Sequence, residues 1–312
     1  MPATSRTSIL RGPGSVIYGG QTFFDADGIS ADIESGTNEV PSSISGPIST
    51  IKTDQTGRIT FTPCGQLSAA LLQILFPYGS ASIGSSASRD PATPADRPLV
   101  IHSLAGTKVT FTHAVLSKMP ELRLSPIRTA FGSAEFSACV GLGKAPTDTA
   151  ALYAVAAQAY AAGAPNPTGI TGVQYAATFG ELEILDTTEG WTVTPEVTLE
   201  PVVTDLLGTI DWTVASVGCT ATCTPLGLTE AQILAARPVA QARGTAIGGE
   251  DDLVITGTDG LTVTLKGASL VRGPLNWGNT ALRAGELKFT AHRSFSNGAP
   301  GPVFTVEMTP SS

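Results

Sequence analysis

Thr62-Pro63-Cys64-Gly65 opens the stretch Gln66-Leu67-Ser68-Ala69-Ala70-Leu71-Leu72-Gln73-Ile74-Leu75-Phe76-Pro77. At a spacing of 162 residues, Thr224-Pro225-Leu226-Gly227 opens Leu228-Thr229-Glu230-Ala231-Gln232-Ile233-Leu234-Ala235-Ala236-Arg237-Pro238. Working outward, a loop follows each copy, then Leu99-Val100-Ile101 in one and Leu253-Val254-Ile255 in the other. Lys108-Val109-Thr110-Phe111-Thr112 is set against Leu261-Thr262-Val263-Thr264-Leu265, and Glu135-Phe136-Ser137-Ala138 against Lys288-Phe289-Thr290-Ala291. Upstream, Phe24-Asp25-Ala26-Asp27-Gly28 matches Leu185-Asp186-Thr187-Thr188-Glu189-Gly190 with one residue of slippage. Signals recurring in one order mark two copies of a domain of about 140 residues, a period too long for a solenoid. The expected division is 1–140 for a first domain with an N-terminal arm, 141–172 for a linker and 173–312 for the second domain.

Each copy reads mainly as strands. Arg58-Ile59-Thr60-Phe61-Thr62 alternates, with Ile59 and Phe61 on one side, and Pro63 and Gly65 stop it. The period then changes: Leu67, Leu71, Ile74 and Leu75 share one side of a helix that Pro77 ends. In the second copy Thr229 caps a helix that buries Ile233 and Leu234 and ends near Pro238. Shorter strands are expected around Val16–Tyr18, Thr22–Phe24 and Ile48–Lys52, with Asp25–Gly28 as a turn. Met119–Leu124 and Phe131–Cys139 continue the strand pattern, and Glu286–Arg293 is the counterpart of the latter. Asn297-Gly298 is a hairpin turn signal, with Val303–Val306 as its returning strand. The expected fold class is mainly β, two tandem β-sandwich or small barrel domains, each with a short flanking α-helix.

Two segments depart from the repeat. Gly79–Pro98, rich in Ser, Ala, Pro and Asp, reads as an exposed loop. The shorter Gln241–Asp252 occupies the same place in the second copy. Such loops either solubilise a surface or reach a neighbouring subunit, and the low charge favours reach; Gly79, Arg89, Asp90, Asp96, Arg243, Glu250, Asp251 and Asp252 are the candidate inter-subunit or inter-ring residues. Thr149–Ala162, inside the connector, is alanine-rich and predicts a helix of about three turns.

Charged residues make up 14% of the chain against 42% hydrophobic, where an ordinary soluble domain carries about 25% charged. Either Ser, Thr and Gly cover much of the surface, or other subunits do. A net charge of −8 disfavours attraction to phosphate polyanions, and no Lys/Arg run sits beside aromatics as a nucleic-acid groove requires. Met1–Arg6 leads into no long apolar run, so no signal peptide is expected. Ala150–Ala162 is too short to span a bilayer, so no membrane insertion is expected.

Residues that carry chemistry are sparse. His102, His113 and His292 show no metal-ligand spacing, and because His102 matches Thr256 and His292 matches Cys139, no histidine site is duplicated. Cys64, Cys139, Cys219 and Cys223 lack a CxxC pair and read as buried free thiols, with Cys219 and Cys223 on one strand face. Gly12-Pro13-Gly14-Ser15 and Gly19-Gly20 lack the phosphate-loop endings. Asp25-x-Asp27-Gly28 reads as a turn and Asp251-Asp252 as a solvated loop pair, rather than as calcium ligands. Asp148, Glu181, Glu183 and Asp186 show no partner acid. The expectation is no enzyme, no metal and no cofactor.

Taken together, Thr60-Phe61-Thr62-Pro63-Cys64-Gly65, the helix through Pro77-Tyr78-Gly79, Lys108–Thr112, Lys118-Met119-Pro120-Glu121-Leu122-Arg123-Leu124 and Phe131-Gly132-Ser133-Ala134-Glu135-Phe136 resemble the major tail, or tail tube, proteins of long-tailed bacteriophages. The resemblance covers most of residues 10–140 and, more weakly, 175–308; Arg272-Gly273-Pro274-Leu275-Asn276-Trp277 departs from the charged Lys118–Leu124 segment. The duplicated motif, Thr62, Pro63, Gly65, Thr224, Pro225 and Gly227, is its marker. The resemblance implies tail-tube-like domains with a flanking helix and a long loop, rings of six domains and stacking into a tube whose lumen conducts double-stranded DNA. Two domains per chain imply a homotrimeric ring of pseudo-sixfold symmetry. It further implies a virion protein of the phage tail, assembled in the host cytoplasm, with tape measure and tail terminator proteins as partners. Competing readings are another phage component, such as a tail terminator, baseplate or capsid decoration protein, and a two-domain β-sandwich that binds carbohydrate or a host surface.

Overall fold

The computed structural model describes residues 14–42, 44–64, 67–87, 97–126, 129–140, 152–159, 173–205, 208–229, 231–232, 251–272, 275–277, 282–293, 295–296 and 299–309. The first half runs β1 (Gly14–Tyr18), β2 (Gln21–Asp25), β3 (Ser30–Ser42), β4 (Gly46–Phe61), β5 (Pro63–Cys64), α1 (Ala69–Leu75), β6 (Leu99–Ser103), β7 (Thr107–Phe111), β8 (His113–Lys118), β9 (Leu122–Leu124), β10 (Thr129–Phe131), β11 (Ala134–Cys139) and β12 (Tyr153–Ala157). The second runs β13 (Tyr175–Phe179), β14 (Leu182–Ile184), β15 (Thr187–Thr204), β16 (Gly208–Pro225), β17 (Asp251–Gly257), β18 (Leu261–Arg272), β19 (Leu275–Trp277), β20 (Leu282–Ala284), β21 (Leu287–Thr290), β22 (Phe295–Ser296), β23 (Ala299–Pro300) and β24 (Phe304–Met308). Strands dominate, all strand pairs among the described residues are antiparallel, and α1 is the one helix that lies wholly among them.

One pairing network occurs twice. In the first half β12-β7-β6-β1-β2-β5 form one sheet and β3-β4-β11-β8 another. In the second, β24-β18-β17-β13-β14 and β15-β16-β21-β18 repeat that order, the long β18 doing the work of both β7 and β8. The register agrees residue by residue. Val16 faces Phe23 as Ala177 faces Ile184, Leu99 faces Phe111 as Leu253 faces Leu265, and Phe136 faces Ile59 as Phe289 faces Ala221. Even the bulges coincide: the β3–β4 hairpin shifts after Gly36 and Val40, and the β15–β16 hairpin after Thr198 and Val202. Because a one-residue slip would turn each strand inside out, this register defines which residues are equivalent. It places Lys108 with Thr262, since each sits opposite its half's His102 or Thr256; the alignment of Lys108 with Leu261 is off by one.

Local chemistry accounts for the elements. Gly19 and Gly20 hold φ of 56° and 78°, the left-handed pair that a tight hairpin between Tyr18 and Gln21 requires. Ser68 caps α1, its Oγ accepting from the Leu71 N–H at 3.2 Å, and Leu71, Leu72 and Leu75 bury one face before Pro77 stops the helix. At Thr229 a capping box forms: the Gln232 N–H donates to Thr229 Oγ1 at 3.3 Å and Gln232 Oε1 accepts from the Thr229 N–H at 2.9 Å. The rest of the expected second helix, Ile233 to Pro238, lies outside the described residues.

Each half has an aromatic centre at one equivalent position. Tyr18 meets Phe136 edge-on at 4.7 Å, and Phe179 meets Phe289 edge-on at 5.2 Å. Burying Phe136 and Phe289 is worth about 1.5–3 kcal/mol each. The two centres belong to one continuous buried cluster.

Several expectations need correction. Ile48–Lys52 and Arg58–Thr62 are not separate strands but parts of the 16-residue β4, paired along its length with β3. Thr149–Ala162 contains no helix among its described residues: Tyr153–Ala157 is β12, and it matches β24, since Tyr153 faces Phe111 as Phe304 faces Leu265. Tertiary pairing with β7 outweighs alanine's helix propensity there. Phe131–Cys139 is broken at Gly132-Ser133 into β10 and β11. Asn297 and Gly298 lie outside the described residues; the strand that pairs back on Phe295–Ser296 is Ala299–Pro300, whereas Phe304–Met308 pairs with β18. Cys139, Cys219 and Cys223 are buried free thiols, while Cys64 is only partly buried.

Candidate functional site

The chemistry-bearing contacts collect where the halves meet. The β9–β10 hairpin of the first half adds to the outer edge of β15, with Leu122, Arg123 and Leu124 opposite Val193, Thr192 and Trp191. Gly190 permits this approach: its φ is +89°, and a Cβ there would stand 2.1 Å from the Leu124 carbonyl oxygen. The Thr129 hydroxyl and the Tyr175 hydroxyl hydrogen bond across the same seam, and Tyr175 also donates to Asp259 Oδ2 at 3.2 Å. Burial, with the Asp259 charge, pushes the Tyr175 phenol above its ordinary range.

A second contact docks the loop after α1 on the far part of β16. The Gly84 and Ala87 N–H groups donate to the Val214 and Trp212 carbonyls at 2.8 Å, and Val214 N–H donates to Ser85 at 2.9 Å. Arg293 donates to the Ala81 carbonyl at 2.6 Å. A third sets Gly79 against β24, where the Val303 N–H donates to the Gly79 carbonyl at 2.8 Å. The segment expected as an exposed loop therefore starts as buried structure: Gly79, Ala81 and Ala87 are all buried.

Asp211 pins this second contact. Ser86 Oγ donates to Asp211 Oδ2 at 2.7 Å, and His113 Nε2 lies 3.5 Å from Oδ1. Burial raises the Asp211 pKa, but His113, the Ser86 hydroxyl and the Trp212 N–H outweigh it and hold the carboxyl below its ordinary value. A nucleophilic triad needs histidine between serine and carboxylate. Here the carboxylate stands between the other two, and Ser86 gives its proton to Asp211, so the group works as a clasp between halves.

The remaining sequence-derived positions have structural duties. Asp25 Oδ1 accepts from the Thr62 N–H at 2.9 Å, and Pro63 pairs with Asp25 in β5. In the second half Thr224 and Pro225 end β16, where Pro225 pairs with Thr187, and Gly227 adopts φ +76° with nothing among the described residues within 4 Å of a Cβ there. Asp251 and Asp252 are not a loop pair; they begin β17. Asp252 accepts from Lys266 Nζ at 2.7 Å and from the Gly267 N–H at 2.9 Å. Desolvation notwithstanding, these partners hold its carboxyl below the usual range. Gly65, Arg89, Asp90, Asp96, Arg243 and Glu250 lie outside the described residues. His102 is buried with Nε2 3.0 Å from the Gln158 carbonyl.

The outer side of the hairpin sheets is hydroxyl-rich and carries charges of both signs. Arg123, Thr192, Thr222 and Lys288 form a row across four strands, and in the first half Ser30, Thr60 and Glu135 form the equivalent row. Beside the first row, Lys118, Glu121, Arg123 and Thr194–Val197 line an open cleft of about 380 Å³. Among the described residues no group of three or more His, Cys, Asp or Glu is placed to hold a metal ion, and no helix is long and apolar enough to cross a membrane.

Ser86 and Asp211 escaped the sequence reading, which named His113 only as lacking metal-ligand spacing and Gly190 only as the counterpart of Gly28. Ser86 and Asp211 are 125 residues apart and share no motif. Neither a scan against protein-family models nor a search of curated proteins returns a match to this chain.

Proposed function

We propose that this protein is a structural tail tube protein of a long-tailed bacteriophage: three chains form a ring of six similar walls, and rings stack into a channel for genome delivery. The observation that supports it best is the duplicated pairing network, in which each half presents a long hairpin in the same four-strand order with a polar outer face. That face mixes hydroxyls with charges of both signs, and the net charge of −8 limits the counterion release that would hold a polyanion in place. Tape measure and tail terminator proteins are the partners this reading implies, in the virion tail assembled in the host cytoplasm. The competing reading as a carbohydrate-binding module asks for exposed aromatic platforms, whereas Trp191 and Trp212 are buried.

Negative-stain microscopy of the concentrated protein tests the proposal. Rings or tubes with three chains per layer are the expected result. A protein that stays monomeric at every concentration and binds a glycan saturably overturns it.

A further inference from the structure

The contact between the halves has one face from each repeat, and the duplication leaves the other pair of faces unused within a chain. The giving face of the first half is the β9–β10 hairpin; its duplicate is β19–β20, paired in the same way, Leu275 with Ala284 and Trp277 with Leu282, as Leu122 with Phe131 and Leu124 with Thr129. Among the described residues β19 and β20 pair only with each other. The receiving face of the second half is the edge of β15 with the far part of β16 and β24. Its duplicate is the edge of β3 with the far part of β4 and β12.

Several equivalent positions on the two receiving faces are apolar in both and differ in exposure. Ile210 is 8% exposed and its counterpart Ile48 is 63% exposed. Val193 is 1% exposed, while its counterpart Ala31 is exposed. Val306 is partly buried, and its counterpart Val155 is 62% exposed. Two glycines show the same contrast: Gly190 touches Leu124 and Gly208 touches Asp54, yet their counterparts Gly28 and Gly46 hold the same left-handed backbone with nothing described within 4 Å. A backbone-open edge flanked by the exposed Ile48 and Val155 is a template for strand addition.

We infer that the occupant is a second copy of this chain, docked head to tail so that its β19 adds to the β3 edge in the register that β9 uses on β15. Transferring that register sets Leu275 opposite Ala31, Asn276 opposite Ser30 and Trp277 opposite Ile29 of the receiving copy. The inference rests on the ring reading above for its closure, but the docking register stands on the intrachain contact. Heterologous docking repeated in this way closes into a ring or runs into a filament.

The test is cysteine cross-linking of the full chain, with microscopy of the wild type beside it. Mixing the single variants Ser30→Cys and Asn276→Cys under mild oxidation is expected to give a reducible two-chain product that neither variant gives alone. The double variant S30C/N276C is expected to give larger closed or laddered products. Ile48→Lys, at an exposed position, is expected to keep the circular dichroism and melting of the wild type while losing every species larger than one chain. Wild-type rings without the mixed cross-link overturn the docking register and leave the tube reading standing. The cross-link without rings or tubes supports the register and overturns the tube reading. Absence of both overturns both.

Discussion

Gly28 and Gly190 hold the same place in the two repeats, share a left-handed backbone, with φ of 112° and 89°, and live in opposite surroundings. One has nothing among the described residues within 4 Å of a Cβ there; the other lies under the Leu124 carbonyl. The contrast separates two causes. The hairpin's own entry bend, held by Asp25 accepting from the Gly28 N–H in one half and Thr187 Oγ1 accepting from the Gly190 N–H at 3.0 Å in the other, sets the backbone. The neighbouring repeat sets only the contact. Conformation in this protein is repeated by the duplicated sequence, and burial is repeated only where a neighbour exists.

The comparison is broken most forcefully at the glycines themselves. Gly190→Ala is expected to cost about 3–5 kcal/mol in urea denaturation, combining left-handed strain with a clash against backbone, while Gly28→Ala costs about 1–2 kcal/mol from strain alone. Equal costs would mean that the seam contributes nothing. Next comes the isoleucine pair. Ile210→Ala should destabilise by about 2–4 kcal/mol, and Ile48→Ala, in the isolated chain, by no more than about 0.5 kcal/mol.

The Asp211 clasp sharpens the comparison through pH. Its carboxyl is held below the ordinary value in the folded protein, so its stabilisation is fully present above the unfolded carboxyl's pKa and is lost as pH falls through the lower, folded value. Asp211→Asn should cost about 1–3 kcal/mol near neutral pH and flatten the acid limb of a melting-temperature profile. The equivalent residue on β4 is Ser49, and the equivalent of His113 is Gly267, so the other receiving face carries no such clasp. The smallest effect belongs to Asp252, whose side chain is more than a third exposed. Replacing it by Asn should cost less than about 1 kcal/mol in the same assay, because exposed ion pairs are screened.

What could be read from the sequence followed alternation and punctuation. Ile59 and Phe61 announced a half-buried strand that Pro63 stops, and Leu71, Leu75 and Pro77 announced α1 and its end. What could not be read lacked a local signature. Ser35–Asn38 of β3 has no apolar alternation, so no strand was assigned to that part of the hairpin. The alanines of β12 read as helix because propensity is local, while their pairing partner β7 lies about 40 residues away. The clasp of Ser86, His113 and Asp211 is purely a product of tertiary placement.

Residues 158–174 tether two repeats whose mutual contact is already made inside each chain. A contact made in cis is formed at an effective concentration set by its tether and does not depend on how much protein is present. In the docking inferred above, only the β3–β19 contact is left to mass action. If assembly proceeds by that contact, a wall of fused repeats needs half as many bimolecular encounters as one of separate repeats. Its concentration threshold then depends on a single kind of joint, which makes that joint the place to tune nucleation without loosening the finished wall elsewhere.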